Sequence, residues 1–326
     1  MGLRVLLLGL CLSLAPLAAQ AKGVERSIAA TGATGTLMGA MLTPSDVERP
    51  PVVLIIPGSG PTDRDGNSGM GARPASYRLL AEAMVDQGVA SVRIDKRGLF
   101  DSAGAALDPN KVTIADYARD VEAWAQALKP ATGAPCIWLL GHSEGALVAA
   151  AAAAERNADV CGVILVAGPG RPLGQVLRDQ LKANPANAPV LNDAMAAIDM
   201  LESGKRVDVS GLDPSLQRLF HPSVQDFLIS ALSYDPADLV RKYSGPVLVI
   251  QGTTDLQISV ADAERLAAAR PGVKLVKVAG VNHVLKEAPA ERAANLATYN
   301  DPLKPVAAGV VNAIVDFVKD GARQHP

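Results

Sequence analysis

The chain has 326 residues, a formal net charge of −2 and only 3% aromatic residues, with acids and bases interspersed along it. That balance offers no basic stripe for a nucleic acid, and past the N-terminus no apolar run is long enough for stable membrane insertion. With 49% hydrophobic residues, a chain of this length can bury the core of one large domain.

The first 21 residues read as a signal peptide. Arg4 supplies a positive n-region, Val5 to Leu17 are almost wholly apolar, and Ala19-Gln20-Ala21 has the small-x-small form of a cleavage site. The run is too short to span a membrane as a helix, and Leu10 before Cys11 departs from a lipoprotein signal. The expectation is an exported protein, periplasmic or secreted, whose residues 22–326 form the folded domain.

Strand-like runs then follow at Thr36 to Leu42, Val52 to Ile56, Ala90 to Ile94, Ile137 to Leu140, Val163 to Val166, Val247 to Gln251 and Leu275 to Val278. Continuous Val/Ile/Leu runs, rather than alternating ones, mark strands buried on both faces of a parallel sheet. Helical patterns separate them at Ser76 to Gln87, Ile114 to Leu128, Gly145 to Arg156 and Val260 to Ala269. The fold class is α/β, doubly wound, with helices on both faces and the chemistry at the carboxyl ends of the strands. Between about 169 and 244 no strand is predicted. Helical patterns at Gly174 to Ala183 and Asn192 to Glu202, punctuated by Pro and Gly, predict a helical cap inserted over the site.

Cys136 and Cys161 each begin an apolar run. If those runs are neighbouring parallel strands, the two cysteines lie roughly 5 Å apart, within disulfide range. An oxidising compartment would favour the bridge, and without C-x-x-C spacing a zinc or redox site has no support.

Gly141-His142-Ser143-Glu144-Gly145 carries the chemistry. It stands between the strand ending at Leu140 and an alanine-rich helix, which is the setting of a nucleophile elbow. There the serine occupies a sharp, strained turn, and a side chain on either glycine would collide across it. This points to acyl transfer through Ser143, whose hydroxyl needs a base to take its proton. His142 should point away from the nucleophile at such a turn, and His221 falls in the cap. His283, in the loop after the last strand, is the base by position and elimination. Asp255, closing Gly252-Thr253-Thr254-Asp255 after the strand Val247 to Gln251, is the acid that would hold the base's tautomer. Asp95 precedes the serine in the chain and is assigned a structural role, pairing with a nearby Arg or bracing the loop. Backbone N–H groups must also face the developing oxyanion. One is expected from Glu144. The other is expected from the Gly-rich loop Pro57 to Asn67, with Ser59 as the donor and Gly60 as the alternative.

Together the elbow, the Pro57 to Asn67 loop, Gly252-Thr253-Thr254-Asp255 and Gly280-Val281-Asn282-His283-Val284-Leu285-Lys286 resemble the α/β-hydrolase superfamily. Within it they are most similar to a bacterial carboxylesterase branch with a P-G-S-G-P-x-D-R-D-G-N loop, and Leu219 to Gln225 in the cap resembles that branch too. The resemblance implies a triad of Ser143, Asp255 and His283, no metal or organic cofactor, and hydrolysis of small-molecule carboxylic esters with short acyl chains. Pro57 stands where many members carry the His of a His-Gly oxyanion motif, which leaves the loop donor open between Ser59 and Gly60. The same machinery would also serve a peptidase or amidase, an acyltransferase or a thioesterase. A binding protein on a dead hydrolase scaffold is the reading from another class. An epoxide hydrolase or dehalogenase would need a carboxylate where Ser143 stands.

Overall fold

A computed structural model describes residues 23–69, 71–155 and 159–323. The signal segment 1–21 lies outside the described residues. In chain order the elements are β1 (Gly23–Thr31), β2 (Thr36–Pro44), β3 (Val52–Ile56), α1 (Ser76–Val85), β4 (Ala90–Ile94), α2 (Ile114–Thr132), β5 (Ile137–His142), α3 (Glu144–Glu155) and β6 (Val160–Val166). Then come α4 (Leu173–Lys182), α5 (Leu191–Glu202), α6 (Pro214–Leu219), α7 (Gln225–Leu232), α8 (Pro236–Lys242), β7 (Val247–Gly252), α9 (Val260–Ala268), β8 (Lys274–Val278), α10 (Arg292–Ala297) and α11 (Ala308–Ala322).

The eight strands form one sheet in the order β1-β2-β4-β3-β5-β6-β7-β8. β1 with β2 and β2 with β4 are antiparallel, and every later pairing is parallel. Strands β3, β4 and β5 are buried at every residue, which is why they read as unbroken apolar runs. Their side chains alternate between two cores. Val52, Leu54 and Ile56 join α2 and α3 on one face, whereas Val53 and Ile55 join α1 and α11 on the other.

Two helices show how the layers close. α3 is buried along nearly its whole length from Glu144 to Ala153, because its alanines let it sit tightly against the sheet, α2 and α8. On the opposite face α11 buries Val310, Val311, Ile314, Val315 and Val318. Its Gly321 lies where a Cβ would meet the Trp138 ring at 2.2 Å, and Phe317 packs edge-on to Trp138 with centroids 5.3 Å apart. Between β6 and β7 the described chain forms helices and no strand, with a small core of its own around Ile198, Leu201, Leu216 and Phe220. Cys136 and Cys161 sit at the starts of neighbouring parallel strands, as the spacing predicts. They are joined in a disulfide, Cα atoms 5.1 Å apart.

β1 and α11 were not expected from the sequence. β1 is a polar edge strand with six exposed residues of nine, so it shows no apolar run, and it exists only by pairing with β2 in a hairpin.

Candidate active site

β5 ends in a turn of the predicted kind. Ser143 has φ of 56°, in the left-handed region that costs a non-glycine residue energy. Gly141 and Gly145 are required by close approach. A Cβ on Gly141 would lie 2.1 Å from the Gly145 carbonyl oxygen, and one on Gly145 would lie 2.2 Å from that of Ile56. The turn is held by the Ser143 N–H donating to Val166 O at 2.9 Å and by the Ala146 N–H donating to Ser143 O at 2.9 Å. Ser143 is half-buried between two buried neighbours, His142 and Glu144. The strain thus lifts one hydroxyl out at the carboxyl edge of the sheet.

At the same edge, the loops after β7 and β8 bring Asp255 and His283 together. His283 Nδ1 and Asp255 Oδ2 are 2.9 Å apart. The carboxylate has further donors: Gln251 Nε2 to Oδ2 at 3.1 Å, and the N–H groups of Gln257 and Ile258 to Oδ1 at 2.7 and 3.0 Å. Burial pushes the Asp255 carboxyl up, but attraction to His283 and these hydrogen bonds outweigh it and hold it below the ordinary value. An ionised acceptor fixes the proton of His283 on Nδ1 and frees Nε2 as a base.

The two loops are also stitched together. The Thr254 N–H donates to Val281 O, Thr254 Oγ1 donates to Ala288 O, and the Gly280 N–H donates to Thr253 Oγ1. Ser143 Oγ makes no hydrogen bond with His283 among the described residues. The structure brings Ser143 and His283 to one edge, with the rings of His142 and His283 4.9 Å apart. His221 remains exposed in the helical segment, bonded to Ser223.

The Pro57 to Asn67 loop passes directly over the elbow: a Cβ on Gly58 would touch Ser143 Cβ at 3.3 Å. Gly58 O accepts from Lys96 Nζ at 2.7 Å. Across that trans peptide, the Ser59 N–H points the opposite way. The N–H groups of Ser59, Gly60 and Glu144 donate to no backbone acceptor among the described residues. The rest of the loop is rigidly knotted. Asp63 Oδ1 accepts from the N–H groups of Asp65 and Asn67, and Asn67 Oδ1 accepts from the Ala75 N–H. Arg64 donates through its backbone N–H and Nε to Asp95, both at 3.0 Å, and Arg93 bonds Asp65. Asp95 therefore has the bracing role expected for it, and the cluster of turn formers is a fixed platform.

Two features escaped the sequence reading. First, Tyr77 on α1 links three parts of the site. The Gly58 N–H donates to Tyr77 Oη at 2.9 Å, Tyr77 Oη lies 2.9 Å from His142 Nδ1, and His142 Nε2 lies 2.8 Å from the His283 carbonyl oxygen. A carbonyl only accepts, so His142 carries its proton on Nε2. Nδ1 then accepts from the tyrosine hydroxyl, and the direction of the whole chain is set. Burial, and then the charge of His283, push His142 down to about 3, so it stays neutral. No local pattern marks Tyr77, because its partners are distant in sequence.

Second, Lys96 and Glu144 form a buried pair beneath the loop, Nζ to Oε1 3.6 Å. Burial moves each toward its neutral form, the acid up and the base down, while their mutual attraction opposes this. Three charges, Asp95-Lys96-Arg97, directly after a buried strand were the available signal.

A cavity of about 220 Å³ adjoins the loop. Its walls include Gly60, Lys96, Val112, Tyr117, Glu144 and Phe227. A larger one, about 370 Å³, is lined by Asp159 and Val160 at the amino end of β6, away from Ser143.

An eight-stranded, mostly parallel sheet with helices on both faces and a strained serine turn at its carboxyl edge defines an α/β-hydrolase fold. The chain belongs to the family described as serine aminopeptidase S33, whose model matches residues 67–287. Esterase EstD of Thermotoga maritima is 26% identical over 265 residues, covering 80% of this chain and 60% of that relative's length. Among solved structures, Est1E from Butyrivibrio proteoclasticus is 17% identical with a TM-score of 0.56, covering 91% of this chain and 99% of that one. A proline iminopeptidase from Mycobacterium smegmatis is 12% identical with a TM-score of 0.60, covering 92% and 100%. At such identities the structural likenesses speak for the fold alone.

Proposed function

We propose that the chain is an exported serine carboxylesterase working through an acyl-enzyme on Ser143. The observation that carries the reading is the 2.9 Å His283–Asp255 pair at the same sheet edge as the strained Ser143 turn. His283 Nε2 takes the Ser143 proton as Oγ attacks the ester carbonyl, and Asp255 stabilises the imidazolium. The N–H groups of Glu144 and Ser59 receive the oxyanion, with Gly60 as the alternative loop donor. Ser59 is favoured by the Lys96 anchor on the Gly58 carbonyl, which turns the shared peptide's N–H away from Lys96. The imidazolium then protonates the leaving alcohol, and water deacylates Ser143 by the same route. This proton and acyl transfer requires no metal or organic cofactor.

The name of the Thermotoga relative supports an ester over an amide. The helical segment between β6 and β7 is read as the cap over the site. Export is supported by the Ala19-Gln20-Ala21 signal pattern and by the Cys136–Cys161 bridge, which suits an oxidising compartment. No helix among the described residues is long and apolar enough to cross a membrane.

Ser143→Ala is expected to lower kcat/KM on p-nitrophenyl acetate by roughly 10⁴-fold or more, as removal of a triad nucleophile does. A variant keeping a tenth of wild-type turnover would overturn the assignment. A family described as aminopeptidase gives the peptidase reading its one specific support, and substrate charge decides between the two.

A further inference from the structure

We infer that the 220 Å³ cavity beside the oxyanion loop is the acyl subsite, built for uncharged, mainly apolar acyl groups, and that it rejects acyl groups carrying an α-ammonium. The inference rests on the esterase reading above. The cavity is walled by Gly60 of the oxyanion loop and by Glu144, which follows the nucleophile. A group entering it is therefore attached to the carbonyl whose oxygen those N–H groups receive. His283 is not part of its wall, and Ser143 adjoins it only through its neighbour Glu144. The leaving alcohol must lie beside His283 to collect its proton, so the group in the cavity is the acyl part.

The remaining wall sets the chemistry. Val112, Tyr117, Val224 and Phe227 present apolar surface, and Tyr117 and Phe227 pack edge to face with centroids 6.0 Å apart. Each charge at the wall already has a partner. Arg97 is paired with Asp120, Nε to Oδ2 2.6 Å, and Lys96 donates to Gly58 O and faces Glu144. Glu144 is the one carboxylate lining the cavity, and its nearest charged neighbour is a lysine. An incoming ammonium would meet two cations against the single Glu144 carboxylate, whose Oε1 makes no hydrogen bond but already faces Lys96, and would lose its hydration with little compensation. At roughly 30 Å³ per water-sized group, the space suits an acyl chain of about seven such groups or fewer.

Two residues contributed by the helical segment, Val224 and Phe227, set the depth of the subsite. Val224 is 38% exposed, so a larger side chain there fills the cavity from its rim without disturbing the core.

The test measures kcat/KM for p-nitrophenyl acetate, butyrate and octanoate with the wild type, Val224→Trp and Phe227→Ala. Methyl hexanoate is compared with norleucine methyl ester at pH 7, where the amine is mostly charged. Val224→Trp should lower the octanoate-to-acetate ratio of kcat/KM at least tenfold. Phe227→Ala should shift preference toward the longer chain, and the wild type should favour methyl hexanoate over the amino ester by about fivefold or more, the neutral fraction of an α-amine at that pH setting the limit. Chain-length profiles unchanged in both variants, or an amino ester turned over as well as its uncharged analogue, would overturn the subsite while leaving the esterase reading intact. A wild type inert toward every ester would overturn both.

Discussion

Tyr77 does work that no single catalytic residue shows by itself. Its hydroxyl accepts from the Pro57 to Asn67 loop at Gly58 and donates to His142, which in turn holds the His283 backbone. Tyr77→Phe keeps the buried ring but leaves the Gly58 N–H and His142 Nδ1 without partners. Each such loss costs about 1–3 kcal/mol. We expect kcat to fall about 10- to 100-fold with KM changed less than threefold, because the bonds position machinery rather than substrate. A merely structural tyrosine would lower Tm and leave kcat alone, and steady-state kinetics beside a thermal melt separates the two. His142, tempting as a base next to Ser143, is the middle of this chain. Its place at a turn that points it away from the nucleophile was legible in the pentapeptide; its partners were not, because Tyr77 and His283 reach it only through the fold.

Among the elements, the parallel strands were the most legible, because burial on both faces demands continuous apolar runs. β3 and β4 match their predicted spans residue for residue. The places of the loops carrying Ser143, Asp255 and His283 were legible for a related reason: in such a sheet the loops that gather at one edge leave the strands at their carboxyl ends. β1 was hidden by its exposed, polar edge, and it needs the β2 hairpin to exist. The rigidity of the Pro57 to Asn67 loop was hidden in another way. Its Gly, Asp and Asn content marks turns, yet the side chains of Asp63 and Asn67 fix the loop's own backbone and that of Ala75, and the Asp95 carboxylate holds the Arg64 N–H. Turn formers specify a bend in sequence; only tertiary bonds tell whether the bend is rigid.

For the whole molecule, the buried neutral His142 ties stability to pH. Its folded value is pushed down to about 3 from the ordinary 6.5, so the unfolded chain binds the proton first. The sign follows: the contribution is complete above pH 6.5 and is lost progressively as pH falls toward 3. Over that window it amounts to about 4–5 kcal/mol at most, or about 1.4 kcal/mol per pH unit. Urea unfolding between pH 6.5 and 4.5 should show the wild type losing stability more steeply than His142→Asn. Parallel slopes would mean that His142 does not hold its neutral form in the folded state.

The central claim, that Ser143 carries the acyl group, is tested most directly by trapping it. Acid-quenching the protein during turnover of p-nitrophenyl butyrate and mapping the adduct by mass spectrometry should place one butyryl group on the peptide bearing Ser143. The adduct should vanish in Ser143→Ala and form far more slowly in His283→Ala. Butyryl found on another residue, or label that persists in Ser143→Ala, would contradict the account.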